Sequence, residues 1–178
     1  MSALFGLMGI PSQPEEVLLF VGALFQNGKY LASAKEKLKE SFGEILVESP
    51  LLEWNYSDYY KEEMGWPLKR IFLFFKKRIC PENLPEIKLT TNNIERQFST
   101  EGRRNINIDP GYLTLSKVVL ASTKNYSHRI YLGKGIYAEV TLIYRNNRFQ
   151  PHLFTYRDYA SDTYAEIFAR ARRLLKES

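Results

Sequence analysis

Apolar and polar positions alternate in three rhythms along this chain, and each rhythm predicts a different element. Val17 to Phe25 is an unbroken apolar run of strand length that ends at Asn27-Gly28, the pattern of a central strand covered on both faces. Leu31, Ala34, Leu38 and Phe42 then recur at helical spacing, and Gly43 closes that helix. Residues 44–54 return to strand character, residues 55–65 are polar, and Ile71 to Phe75 is a second buried strand. Pro81 and Pro85 open a helix whose shared face carries Leu84, Ile87, Thr91, Ile94 and Phe98.

From Arg104 onward the period falls to two. Asn105, Asn107 and Asp109 line one face, opposite Ile106 and Ile108, and Pro110-Gly111 reads as a turn. Lys117–Ala121 and Arg129–Leu132 are strands, and Gly133-Lys134-Gly135 is a hairpin turn into a strand over Ile136–Arg145. In that last strand Ile136, Ala138, Val140 and Leu142 share the apolar face, while Tyr137, Glu139 and Thr141 share the other. Asn146-Asn147 turns into a short strand near Phe149 to Phe154. A closing helix presents Tyr164, Ile167, Phe168, Ala171, Leu174 and Leu175 to the core. The fold class predicted is α+β: a mostly antiparallel sheet with a ferredoxin-like (split β-α-β) first half, extended by a β-hairpin and a C-terminal helix. No repeat, linker or low-complexity tract divides the chain. Residues 1–178 are therefore expected to form one domain, with 1–14 as an N-terminal arm, flexible or docked.

Composition adds limits. The single cysteine, Cys80, rules out an intrachain disulfide and fits cytoplasmic residence. No run reaches the ~18 apolar residues of a membrane helix, so no membrane partner is expected. The net charge of +5 permits phosphorylated ligands or nucleic acid without requiring either. The basic residues are scattered in short clusters such as Lys76-Lys77-Arg78 and Arg103-Arg104 rather than gathered on one face, which weakens RNA as a partner. The 12 Tyr and 11 Phe favour sheet and supply hydroxyls that seek partners when buried.

Neighbouring strands would bring Asn107, Asp109, Arg129, Tyr131, Tyr137, Glu139 and Thr141 onto one polar sheet face. Arg104, Lys117, Lys124 and Arg129 could then grip phosphate oxygens. Asp109 and Glu139 are the candidate ligands of a divalent metal, Mg²⁺ being the natural choice beside phosphates. His128 is the candidate acid or base. Tyr112 is counted among the ligand contacts. In the dense 56–64 patch Tyr59 and Glu63 would form a lid or wall, and Asp58 would cap a short helix. The plainer alternative is a solvated sheet face with cross-strand ion pairs. Gly133-Lys134-Gly135 lacks Walker spacing and sits between strands, so it is no phosphate loop. The favoured reading is a site for a phosphorylated small molecule or nucleotide. The alternatives are a non-enzymatic module that binds RNA or a regulatory small molecule, or an interaction protein that forms homodimers through a sheet edge or the apolar N-terminal segment.

Several strings agree in order and spacing with a known family. They are Tyr59-Tyr60 with Glu63-Met64-Gly65, Lys88-Leu89-Thr90-Thr91-Asn92, Arg104 to Leu113, Val119 to Lys124, His128 to Leu132, Gly135 to Leu142, and Thr155-Tyr156-Arg157-Asp158-Tyr159. Together they resemble the bacterial family known as domain of unknown function 4416, from about residue 15 to near the C-terminus. The resemblance implies a prokaryotic cytoplasmic protein and supplies no reaction.

Overall fold

A computed structural model describes residues 9–177 of the chain. The elements run β1 (Val17–Phe25), α1 (Gly28–Phe42), β2 (Ile45–Glu48), β3 (Leu52–Trp54), α2 (Lys61–Met64), β4 (Leu68–Ile79), α3 (Leu84–Gln97), β5 (Ile106–Leu113), β6 (Lys117–Ser122), β7 (Ile130–Gly133), β8 (Ile136–Arg145), β9 (Arg148–Gln150) and α4 (Asp162–Glu177). All strands join one antiparallel sheet in the order β2-β4-β1-β5-β6-β8-β7, with β3 also on β4 and β9 also on β8. The expected α+β class, the mostly antiparallel sheet and the closing helix are all present. β4 lies between β1 and β2, and β1 lies between β4 and β5, so each β-α-β crossover skips one strand. Of the expected N-terminal arm, residues 1–8 lie outside the described residues, and residues 9–14 are exposed without regular structure. Among the described residues no helix is long and apolar enough to cross a membrane.

β1 is buried along its whole length because both sheet faces are covered. Leu19, Val21, Ala23 and Phe25 pack with Ala34 and Leu38 of α1 and with Ile87 and Ile94 of α3. Leu18 and Phe20 pack on the other side with Phe72, Phe74 and the α4 residues Tyr164, Phe168 and Ala171. α1 begins where the Asn27 side chain accepts the Lys29 N–H at 3.0 Å. Two hairpins close as their sequences require. Lys134-Gly135 and Asn146-Asn147 all have positive φ, the conformation of two-residue turns that match strand twist.

Five local expectations are corrected. Residues 44–54 make two short strands, β2 and β3, rather than one, and the strand expected up to Phe154 ends at Gln150. Asp58 does not cap α2; Tyr60 stands at the N-cap position without a side-chain hydrogen bond, and Asp58 pairs with Lys61 at 2.5 Å. Leu142 does not share a face with Ile136. The β6–β8 register slips by one residue between Val118↔Leu142 and Val119↔Val140, so Thr141 is the extra residue of a bulge. Leu142 thereby joins the α4-side core, while Ile136 and Ala138 stay against α3.

The fifth correction shapes the molecule. Pro110-Gly111 is not a turn but lies within β5. β5 runs beside β1 over its full length, from Leu18↔Leu113 to Phe25↔Ile106, yet meets β6 only at Gly111↔Leu120, Tyr112↔Val119 and Leu113↔Val118. Ile108 turns its backbone polar groups away from β1 and toward side chains of α3. Its N–H is accepted by Glu95 Oε1 at 2.5 Å, and its C=O accepts from Lys88 Nζ at 3.3 Å. Pro110, two residues on, faces the same side and has no N–H to continue a ladder there. The sheet therefore opens at the β5–β6 seam, and α3 lies behind the opening. Gly111 stands where the ladder resumes. A Cβ on it would meet the Val119 carbonyl oxygen at 2.3 Å and the Phe20 ring at 2.6 Å.

Candidate functional site

The opened seam is the base of a cavity of about 750 Å³ on the face that α4 covers further along. That volume falls in the range of small-molecule sites. Three groups of residues surround it: the base from α3, β4 and β5, the wall from β6, β8 and the turn before α4, and the segment 54–60 arching over both.

The base is a continuous hydrogen-bonded chain. Lys88 Nζ reaches Asp109 Oδ1 at 3.3 Å, and Asp109 Oδ2 accepts from Asn107 Nδ2 at 2.5 Å. Asn107 Oδ1 accepts from Arg104 Nη1 at 2.7 Å. Arg104 then forks onto Glu63, Nε to Oε1 and Nη2 to Oε2, both at 2.7 Å. This bidentate pair ties α2, which follows the overarching segment, to the residues leading into β5, and it holds the Glu63 carboxyl below the usual carboxylate range. Burial raises Asp109, but Lys88 and Arg70 outweigh it and hold the group below its ordinary value. Glu95 differs. Burial, helped by Asp109 and opposed by Lys88, pushes its carboxyl up to about 7.

Arg70 is the most unusual residue in the cavity. It comes from β4, is 3% exposed, and donates through Nη2 to Asp158 Oδ2 at 3.3 Å. Its Nε and Nη1 are buried without a hydrogen bond of ordinary length, as is the nearby Tyr159 hydroxyl, while the Tyr164 hydroxyl interacts with Arg70 itself. Asp109 Oδ2 stands 3.9 Å from Nη1, beyond hydrogen-bonding distance. Asp158 is fixed by Trp54 Nε1 at 3.0 Å and by the Tyr159 N–H at 2.9 Å.

The wall is organised by Arg129, whose side chain is 1% exposed. Its Nε donates to Glu139 Oε2 at 2.6 Å, and its Nη1 donates to Ser122 Oγ at 2.7 Å and to the Lys124 carbonyl at 3.0 Å. Its Nη2 donates to the Tyr156 hydroxyl. Burial pushes that hydroxyl up to about 12, so it stays protonated. His128 Nε2 lies 3.1 Å from Glu139 Oε2, and its ring stacks on Phe154 at 4.6 Å.

Of the residues predicted from sequence, Tyr59, Arg104, Asn107, Asp109, Lys124 and Glu139 meet in this cavity. Glu63 and Arg129 stand directly behind it as anchors rather than as lining, and His128 contacts Glu139 from outside. Tyr131 and Tyr137 pack on each other at 5.2 Å, away from the lining, and Tyr112 and Lys117 border a different depression beside Leu115 and Leu174. Asp109 and Glu139 share the sheet face, but they do not fit a divalent cation. The Asp109 oxygens face Lys88, Arg70 and Asn107, and those of Glu139 face Arg129, His128 and Thr141. A cation there would meet guanidinium and ammonium charges rather than open lone pairs. Among the described residues no group of three or more His, Cys, Asp or Glu is placed to hold a metal.

Sequence reasoning assigned no site role to Arg70, Lys88, Glu95, Arg157 and Asp158. Two signals were present. Arg70 interrupts the alternation Leu68, Phe72, Phe74 on one face of β4. Lys88, Thr91 and Glu95 follow Leu84 at helical spacing and form a buried polar stripe on α3.

The chain belongs to the family described as Domain of unknown function (DUF4416), whose model matches residues 15–174. No curated protein and no solved structure matches it.

Proposed function

We propose that this protein binds a small phosphorylated metabolite, of about nucleotide size, in the cavity over the β5–β6 seam. The observation that carries the reading is Arg70. A buried guanidinium whose donors lack ordinary hydrogen bonds, beside the unpartnered Tyr159 hydroxyl, carries a desolvation cost of roughly 1–3 kcal/mol for each unsatisfied group. A ligand head with acceptor atoms would remove that cost. Four further features support it. The volume suits such a molecule, the lining mixes Trp54, Tyr56, Tyr59 and Tyr60 with convergent polar groups, the sheet is opened at this point, and α2, which follows the overarching segment, is tied down by a bidentate ion pair. No step through a metal is part of the proposal.

The test is thermal unfolding of the full chain against nucleotides and sugar phosphates, with and without Mg²⁺. A ligand present at about 100 times its Kd stabilises the folded state by roughly 2.7 kcal/mol, or a midpoint rise of about 5–10 °C at this chain length. The rise is expected with at least one member and without Mg²⁺, and it is expected to vanish in Arg70→Lys, which keeps the charge but not the fork. A cooperatively unfolding protein whose midpoint no member moves would refute the reading.

A further inference from the structure

Resting on that reading, we infer that the ligand's phosphate is held at the mouth of the cavity between Lys124 and Arg157, and that its uncharged polar head points inward to Arg70. The charges divide the cavity into two zones. At the base every cation already has a carboxylate: Lys88 has Asp109 at 3.3 Å, Arg70 has Asp158 at 3.3 Å, and Arg104 has Glu63 at 2.7 Å. A phosphate pushed into the base would meet Asp109, Asp158 and Glu95 as well as the cations. The orphaned donors of Arg70 and the Tyr159 hydroxyl instead suit carbonyl, ring-nitrogen or hydroxyl acceptors.

The mouth is different. Lys124 and Arg157 both line the cavity and both are exposed, and among the described residues neither has a carboxylate partner. Lys124 Nζ rests 5.1 Å from the centre of the Tyr59 ring. The two cations lie on separate loops, one after β6 and one before α4, and Arg129 joins those loops. It grips the first through Ser122 Oγ and the Lys124 carbonyl, and the second through the Tyr156 hydroxyl, next in sequence to Arg157. A buried Arg–Glu pair is weak support for stability, because desolvation cancels much of its attraction. What Arg129 does secure is a link between the two loops that carry these cations. A phosphate dianion placed between them would make two charge-assisted contacts. Arg129 and Tyr156 are thus positioning residues, and Lys124 and Arg157 are the phosphate contacts.

Inorganic phosphate is the probe, titrated calorimetrically into the full chain at constant ionic strength. Binding is expected, and it should weaken about tenfold in Lys124→Ala and again in Arg157→Ala, each losing one charged contact. Tyr156→Phe, which removes the Arg129 tie to the second loop while leaving both cations, should also weaken phosphate binding. A merely structural role for Tyr156 would lower the unfolding midpoint and leave phosphate affinity where it was. Phosphate that fails to bind, or that binds Lys124→Ala and Arg157→Ala as tightly as the natural chain, overturns the clamp. If Arg70→Lys still abolishes stabilisation by the metabolite panel in that case, the cavity reading stands and only the phosphate placement falls. If the panel stabilises neither protein, both fall.

Discussion

Glu95 shows at the scale of one residue how the opened sheet sets chemistry. Its carboxyl replaces a missing strand, accepting the Ile108 N–H, and burial raises it to about 7. The folded value lies above the unfolded one, so the folded state binds the extra proton between them. The group therefore costs stability as pH rises from about 4.5 to 7, by an amount of the order of 3 kcal/mol at the upper end. Glu95→Gln keeps an acceptor for Ile108 and removes the charge. Denaturant unfolding of this variant should show a flatter decline in stability across that window than the natural chain does. Parallel curves would mean that Glu95 titrates as an ordinary surface carboxyl. Asp109 acts in another window, because its lowered value places its stabilisation above the usual Asp range and its loss below it. Gly111 makes a second residue-scale case. An added methyl meets backbone at 2.3 Å, and backbone cannot swing aside. Gly111→Ala should cost about 1–3 kcal/mol, as overpacked cores do, read as a lower denaturant midpoint at unchanged m. An unchanged midpoint would show that β5 and β6 are not this closely apposed.

The seam between β5 and β6 belongs to the scale of elements. Two polar side chains of α3 do there what a neighbouring strand does elsewhere, so the helix and the strand should open together. Lys88→Met leaves the Ile108 carbonyl short of a donor and Asp109 short of a cation, and should destabilise by about 3 kcal/mol. Amide exchange gives the sharper readout. The Ile108 N–H should be protected in the natural chain and exchange faster in Glu95→Ala, while Val21 and Ala23 in central β1 keep their protection. Uniform loss across β1 and β5 would point to global destabilisation. At this scale much was legible in the sequence, because period and turn chemistry are local. The apolar run of β1, the α3 face and the Lys134-Gly135 hairpin each announce themselves within a dozen residues. Pro110 misled because a proline before glycine ordinarily turns the chain, whereas here β1 on one side and α3 on the other hold it extended. Leu142 misled because one bulge at Thr141 reverses the face of every residue beyond it, and no local pattern marks which residue is extra.

At the scale of the whole molecule, the polar cluster depends on chain segments far apart in sequence. Alternation along β5 and β8 placed Asn107, Asp109 and Glu139 on one face, and the structure agrees. It could not place Arg70 or Asp158, because their meeting depends on β4, the residues before α4 and an 88-residue separation. Nor could alternation show that Arg129 turns inward to join two loops, since the residue stands just outside β7. The cavity collects what the individual strands only suggest, and the claim that it is a binding site can be tested on the molecule directly. The full chain would be incubated with a metabolite extract, freed of unbound solute, denatured, and its released small molecules identified by mass spectrometry, beside Arg70→Lys and the Lys124→Ala, Arg157→Ala double variant. A phosphorus-containing molecule of nucleotide size released from the natural chain and missing from both variants is the predicted result. Release of nothing that distinguishes the natural chain from the variants would contradict the account.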